Sequence, residues 1–117
     1  MRYLLLLLLF TLSFQFLSAQ ENNFNFINFS SKNGLSSNIV NGIVKDRFGY
    51  MWFATDDGLN RFDGENFKVY RHKSNDSTSI GAGALMTIKE DKSDNLWIAA
   101  GTTLSRYKRE KNAFVNY

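Results

Sequence analysis

The sequence predicts an all-β chain made of two copies of one four-stranded antiparallel unit, with a short strand ahead of them and an apolar helix ahead of that. Three observations lead there. The segment Asp46-Arg47-Phe48-Gly49-Tyr50-Met51-Trp52-Phe53-Ala54 returns 45 positions later as Asp91-Lys92-Ser93-Asp94-Asn95-Leu96-Trp97-Ile98-Ala99. The register continues without a gap on both sides, so that Leu35 falls on Ile80, Val40 on Leu85, Ile43 on Ile88, Leu59 on Leu104, Arg61 on Arg106 and Phe62 on Tyr107. Within each copy, short apolar runs alternate with turn-forming residues. A repeat of this length, with a turn signal ahead of a tryptophan-bearing strand, is the pattern of a β-propeller blade. The fold class is therefore a partial β-propeller.

The chain opens on Met1-Arg2-Tyr3, followed by an apolar stretch from Leu4 to Leu17 and then Ser18-Ala19-Gln20. One positive charge, a short apolar run and small residues behind it make residues 1–19 a secretory signal peptide, with cleavage expected after Ala19. The run is shorter than the roughly 20 residues a membrane-spanning helix requires. The chain contains no cysteine, so stability outside the cytoplasm must come from packing and not from disulfides. The formal charge of +3 is small and scattered, which argues against nucleic acid as a partner.

Residues 20–33 contain Phe24, Phe26, Ile27 and Phe29 at close to two-residue spacing, which is strand periodicity. This segment is expected to be a ring-closing strand, completing a blade from the other end of a propeller. Blade one is assigned to residues 34–75. Its strands are expected at Ile39–Lys45, Tyr50–Thr55, Leu59–Phe62 and Asn66–Arg71, joined by the turns Asp46-Arg47-Phe48-Gly49, Asp56-Asp57-Gly58 and Asp63-Gly64. Met51-Trp52-Phe53-Ala54 is apolar on both faces, as a strand between neighbouring blades should be.

Blade two is assigned to residues 76–117, with strands at Ala84–Glu90, Asn95–Ala100, Leu104–Tyr107 and Ala113–Tyr117. In its first turn Asn95 is expected to take the left-handed conformation that Gly49 supplies in blade one. Arg106, Lys108, Arg109 and Lys111 are read as a solvated hairpin tip. A blade cannot bury both of its faces alone, and closed rings use four to eight blades, so the chain is expected to be a fragment whose partners are the remaining blades of a parent protein.

Gly34-Leu35-Ser36-Ser37-Asn38, followed by Val40, Ile43, Asp46, Gly49, Trp52, Thr55, Gly58-Leu59 and Arg61-Phe62-Asp63, resembles the two-component regulator propeller repeat. The resemblance covers nearly all of blade one and, more loosely, blade two. It implies the periplasmic sensor region of a hybrid two-component system histidine kinase of the Bacteroidetes type. Such a parent would be anchored in the inner membrane, respond to an oligosaccharide ligand and work as a homodimer. Two other readings stand beside it: a segment of a secreted propeller enzyme of polysaccharide lyase type, and a secreted interaction propeller without a kinase.

Catalytic motifs are not visible in the chain. Asp46 and Asp91 precede turns and are read as structural, together with Gly49, Trp52, Gly58, Leu59, Trp97 and Leu104. Asp91, Ser93 and Asn95 have the spacing of a calcium loop, but Leu96 and Thr102 stand where Gly and Glu are needed. His72 is the single histidine, with no second ligand at metal-binding spacing. No metal and no cofactor is expected. Trp52 and Trp97 invite a sugar-stacking role, but their place inside an apolar strand points to burial between blades. Tyr50, Asn60, Arg61 and Arg71 are the candidates for ligand contact.

Overall fold

A computed structural model describes residues 1–4 and 22–117, and the expected signal peptide falls for the most part outside these. Two four-stranded antiparallel sheets are present. The first runs β1 (Val40–Lys45), β2 (Met51–Thr55), β3 (Gly58–Phe62) and β4 (Phe67–Tyr70) in sequence order. The second repeats that order with β5 (Leu85–Glu90), β6 (Leu96–Ala100), β7 (Thr103–Lys108) and β8 (Ala113–Asn116). Each is a meander, in which every strand pairs with the next, and the two do not close on each other.

The expectation of a strand at Phe24–Phe29 is not met, because residues 22–30 are in no regular element. A closing strand needs the edge of a last blade to bond to, and neither sheet offers that edge. Phe29 nevertheless packs its ring against Phe53, Phe62 and Phe67, at centroid distances of 5.7, 4.7 and 5.2 Å.

Strand alternation divides each sheet into two faces. In sheet one, Val44, Trp52, Arg61 and Lys68 lie in one cross-strand row, and Gly42, Ala54, Leu59 and Tyr70 in a neighbouring row of the same face. The other face carries Ile43, Phe53, Asn60 and Val69, with Phe62 and Phe67 beside them. The Trp52 face lies against sheet two, where Ile88, Leu96, Ile98, Tyr107 and Phe114 complete one continuous core. Trp52 and Leu59 are fully buried there. Burial of each side chain of that size stabilises the fold by roughly 1.5–3 kcal/mol relative to exposure.

Equivalent residues in sheet two have no such cover. Trp97 is half-buried, and Leu104 is 42% exposed where its counterpart Leu59 is 0% exposed. Trp97 therefore departs from the expected burial. The face that bears it is the one a following blade would cover, and the described residues contain no such blade.

The closest approach of the two sheets is between β1 and β5. A Cβ placed on Gly42 would lie 3.2 Å from both the backbone nitrogen and Cγ2 of Ile88. Backbone cannot yield there as a flexible side chain would. One residue earlier, a bulge leaves Asn41 unpaired, and its amide donates to the Leu85 carbonyl at 2.9 Å and to Asp56 at 2.8 Å. The sheets thus touch at their first strands through a missing side chain and a side-chain hydrogen bond. Replacing Gly42→Ala is expected to cost about 1–3 kcal/mol by overpacking. Thr87→Ala, at the exposed counterpart position in β5, should stay within about 0.5 kcal/mol of the parent, both variants being compared by urea titration.

Candidate functional site

The repeated aspartate organises one end of each sheet. In sheet one, Asp46 Oδ1 accepts from the N–H groups of Phe48 and Tyr50 at 2.9 and 3.0 Å. Its Oδ2 accepts from the Trp52 indole Nε1 at 2.8 Å. The sheet-two copy reproduces this, with Asp91 accepting from Ser93 and Asn95 N–H at 2.8 and 2.9 Å and from Trp97 Nε1 at 2.8 Å. One carboxylate therefore closes the turn and fixes the rotamer of the tryptophan six residues on. Gly49 has φ of +92°, which a side chain would strain. In sheet two that left-handed place belongs to Asp94 at φ of +63°, not to Asn95 as the sequence suggested. Asn95 instead turns its amide to Asp91, at 3.0 Å from Oδ2.

An arginine completes each tryptophan. Arg61 is opposite Trp52 across β2 and β3, and its guanidinium lies 4.6 Å from the Tyr50 ring centroid and 5.8 Å from that of Trp52. Arg106 repeats the arrangement over Trp97 at 5.5 Å and Tyr117 at 5.9 Å. Arg61 and Tyr50 thus belong to the packing of sheet one. Asn60, another candidate contact, is fully buried and accepts from the Ser36 N–H at 2.8 Å while its amide donates to Ser36 Oγ at 2.7 Å. A ligand cannot reach it.

Arg109 is the residue sequence reasoning misplaced. It stands in the short 3-10 turn Arg109–Lys111 between β7 and β8, yet its side chain is only 23% exposed. Its guanidinium reaches across to the first aspartate turn, 2.8 Å from Asp46 Oδ2 and 4.5 Å from the centroid of Phe48, and also lies 3.2 Å from Glu90 at the end of β5 in its own sheet. Glu90 also accepts from the Arg47 N–H at 3.1 Å, and Arg47 pairs with Asp94. This clasp ties the two aspartate turns together across the sheet boundary. The buried Asp46 carboxyl would be pushed up by desolvation, but hydrogen bonds from Trp52, Arg109 and Tyr50 and the charge of Arg109 hold it below the usual carboxylate range. The only signal in the sequence was the extra length of the β7–β8 hairpin.

At the opposite end of the strands, where β2 turns into β3 and β4 leads to β5, the sheets part to leave a cleft of about 280 Å³. Asp56, Asp57, Arg71, His72 and the backbone of Gly81 and Gly83 line it. Asp57 pairs with Arg71 at 3.0 Å, and Asp56 holds the Asn41 amide, so the adjacent carboxylates face different partners. His72 Nδ1 lies 2.9 Å from the Ile80 carbonyl. A carbonyl only accepts, so Nδ1 carries the proton. Gly58 closes the floor, since a Cβ there would stand 2.6 Å from the Tyr70 carbonyl oxygen. Of the four predicted contacts, only Arg71 faces this cleft. Its exposed carboxylates and guanidinium offer acceptors and donors suited to a hydroxyl-rich molecule. Among the described residues no cluster of His, Cys, Asp or Glu could hold a metal ion.

Tandem four-stranded meanders, each locked by an aspartate–tryptophan bond, define a β-propeller segment. Residues 34–57 match the family model of the two component regulator propeller. The chain is 50% identical over 64 residues to Histidine kinase P4 of Formosa agariphila, an alignment covering 55% of this chain and 5% of that one. Its fold is similar to the extracellular domain of BT3049 from B. thetaiotaomicron, described as a hybrid two component system, at TM-score 0.70 and 35% identity over 78% of this chain and 13% of the other. A second similar structure is the extracellular domain of BT4673 from the same organism, described as a one component system, at TM-score 0.64 and 25% identity over 80% and 14%. Residues 34–57 therefore match one copy of the two-component regulator propeller repeat, and the chain spans only a small share of each relative's length.

The clamp has a titration signature. Hydrogen bonds from the Trp97 indole and the Asn95 and Ser93 groups bring Asp91 down to about 2, from an ordinary value of 3.8. A folded-state value below the unfolded one gives stability that is complete above about pH 4 and lost as the pH falls toward 2. Asp91→Asn keeps an acceptor oxygen but no titrating charge, so its urea midpoint should fall less steeply between pH 4 and 2 than that of the parent.

Proposed function

We propose that this chain is part of an extracytoplasmic, ligand-sensing propeller of a two-component signalling protein, that its ligand is an oligosaccharide, and that the inter-blade cleft around Arg71 is one place where that ligand is held. In this reading the segment binds and does not catalyse. Chemistry resides in a kinase elsewhere in the parent, which is anchored in the inner membrane, and residues 1–19 direct the segment to the periplasm. Residues 34–75 and 76–117 are two successive blades.

The observation that carries this reading is the internal repetition of a complete blade face. Trp97, Arg106 and Tyr117 on sheet two match Trp52, Arg61 and Tyr70 on sheet one, and the sheet-two set is uncovered. A face built this way belongs in a ring, and a rigid ring is a scaffold for loops that contact ligand. The extracellular domains of hybrid two component and one component systems to which the fold is similar support the same reading.

Phe26-Ile27-Asn28-Phe29 has the spacing of Phe67-Lys68-Val69-Tyr70, the whole of β4. Phe29 meets Phe62 and Phe67 much as Tyr70 meets their counterparts Tyr107 and Phe114, at 5.7 and 5.5 Å. This supports a role for residues 26–29 as the fourth strand of the ring's last blade.

Two measurements test the proposal. Calorimetric titration with a panel of neutral and acidic oligosaccharides should give saturable binding that Arg71→Ala weakens at least tenfold, without release of shorter products. Product release, or binding unchanged by Arg71→Ala, would count against it. Phe29→Ala should lower the thermal midpoint by removing a half-buried ring from the Phe53 face of sheet one, whereas Phe24→Ala, 74% exposed, should not.

A further inference from the structure

The two aromatic sockets in this chain differ in a coordinated way. In the first, Phe29 packs on Phe62 and Phe67, and no ring carries a hydroxyl. The hairpin of that sheet, between Phe62 and Phe67, is the shorter of the two. In the second, Tyr70 packs on Tyr107 and Phe114, and the hairpin between Tyr107 and Phe114 is two residues longer. The added length creates the 3-10 turn at Arg109–Lys111 and leaves Asn112 left-handed at φ of +48°.

That backbone turn has a chemical consequence. Asn112 Oδ1 accepts from the Tyr70 hydroxyl at 2.7 Å and from the Tyr107 hydroxyl at 2.8 Å, using both lone pairs. The two hydroxyls lie 3.2 Å apart. Tyr70 is a buried side chain of sheet one, and both its acceptor and its neighbouring tyrosine belong to sheet two. A buried hydroxyl without an acceptor costs about 1–3 kcal/mol. The two hydroxyls could satisfy only one donor between themselves, so a tyrosine facing Tyr107 needs the further acceptor that the long hairpin brings, and a phenylalanine does not.

We propose that the last aromatic of each blade and the final hairpin of the next form a matched pair that decides which blades can be neighbours. Hydroxyl-bearing Tyr70 takes the long hairpin with its amide oxygen. Phenyl-bearing Phe29 takes the short one. Tyr117 stands at the Tyr70 position of sheet two, its ring 5.8 Å from Trp97 and tilted by 39°, where Tyr70 stacks on Trp52 at 5.9 Å. The uncovered face of sheet two consequently fits a blade of the long-hairpin type, one that presents an amide or similar acceptor to the Tyr117 hydroxyl. It is mismatched to a blade like the first, including that of a second copy of this chain. Continuity with the Tyr70 interface sets this requirement, because Trp97, Arg106 and Tyr117 repeat the residues that already have their partner.

Urea unfolding of the full chain, followed by tryptophan emission, tests the pairing. Tyr70→Phe should lower the midpoint by roughly 0.5 M, the size expected for one buried hydrogen bond. In the Asn112→Gly background, where the left-handed backbone is kept and the acceptor is lost, Tyr70→Phe should cost clearly less. Phe29→Tyr should bring no gain, because its socket has no matching acceptor. Equal costs of Tyr70→Phe in both backgrounds, no cost in either, or a gain from Phe29→Tyr as large as the loss from Tyr70→Phe, would each overturn the proposal. Where the repeat continues beyond Tyr117, the next unit must carry the long hairpin, and a short phenylalanine-lined socket there would overturn it as well.

Discussion

A single carboxylate per blade, Asp46 or Asp91, sets the position of everything that packs on it. By accepting two turn N–H groups and an indole N–H together, it couples the backbone reversal to the orientation of the tryptophan. The tryptophan then meets an arginine from the next strand and a tyrosine from the end of the unit. Because the turn and indole ties to the carboxylate lie within one blade, the face forms in sheet two although none of the described residues covers it. The neighbour is needed only to bury that face. This separation explains how units of one pattern can be joined in series, with each blade presenting a finished surface to the next.

Where the blades meet, different kinds of contact act at different radii. At the first strands the fit is steric, with Gly42 against Ile88 and Asn41 bridging to Leu85. In the middle it is apolar, around Trp52 and Leu59. Toward the last strands it is polar and selective, through Tyr70 and Asn112. At the aspartate end Arg109 adds a charged clasp whose partner Asp46 is fully withdrawn from water. The opposite end has no such closure, and the cleft near Arg71 remains open there. A ligand in that cleft would touch residues of both blades, and so could bias how they pack.

Much of this was legible in the sequence because the repeat fixes its own register. The turn residues Asp46, Gly49, Gly58 and Asp91 located the strand ends to within a residue or two, and the apolar run Met51–Ala54 announced a strand covered on both sides. What was not legible depends on contacts between distant residues. Arg109 sits among other cations in a hairpin, and only the geometry of the longer turn aims it at Asp46. Asn60 lies in the strand expected for it, but its side chain is buried against Ser36, a contact 24 residues away in the chain that the strand pattern does not reveal. Trp97 read as an equal of Trp52, and within its own blade it is one; the difference is in what lies against it. Phe24 to Phe29 has strand periodicity without a partner edge, so its pattern survives in Phe29 packing and not in hydrogen bonds.

The two tryptophans occupy equivalent sites, of which just the first is covered by the described residues. Acrylamide quenching of the single-tryptophan variants Trp97→Phe and Trp52→Phe measures this directly. The first variant, reporting Trp52, should be shielded from the quencher and emit at short wavelength, while the second, reporting Trp97, should be quenched several times more efficiently. Equal quenching of the two in the folded chain would contradict the account.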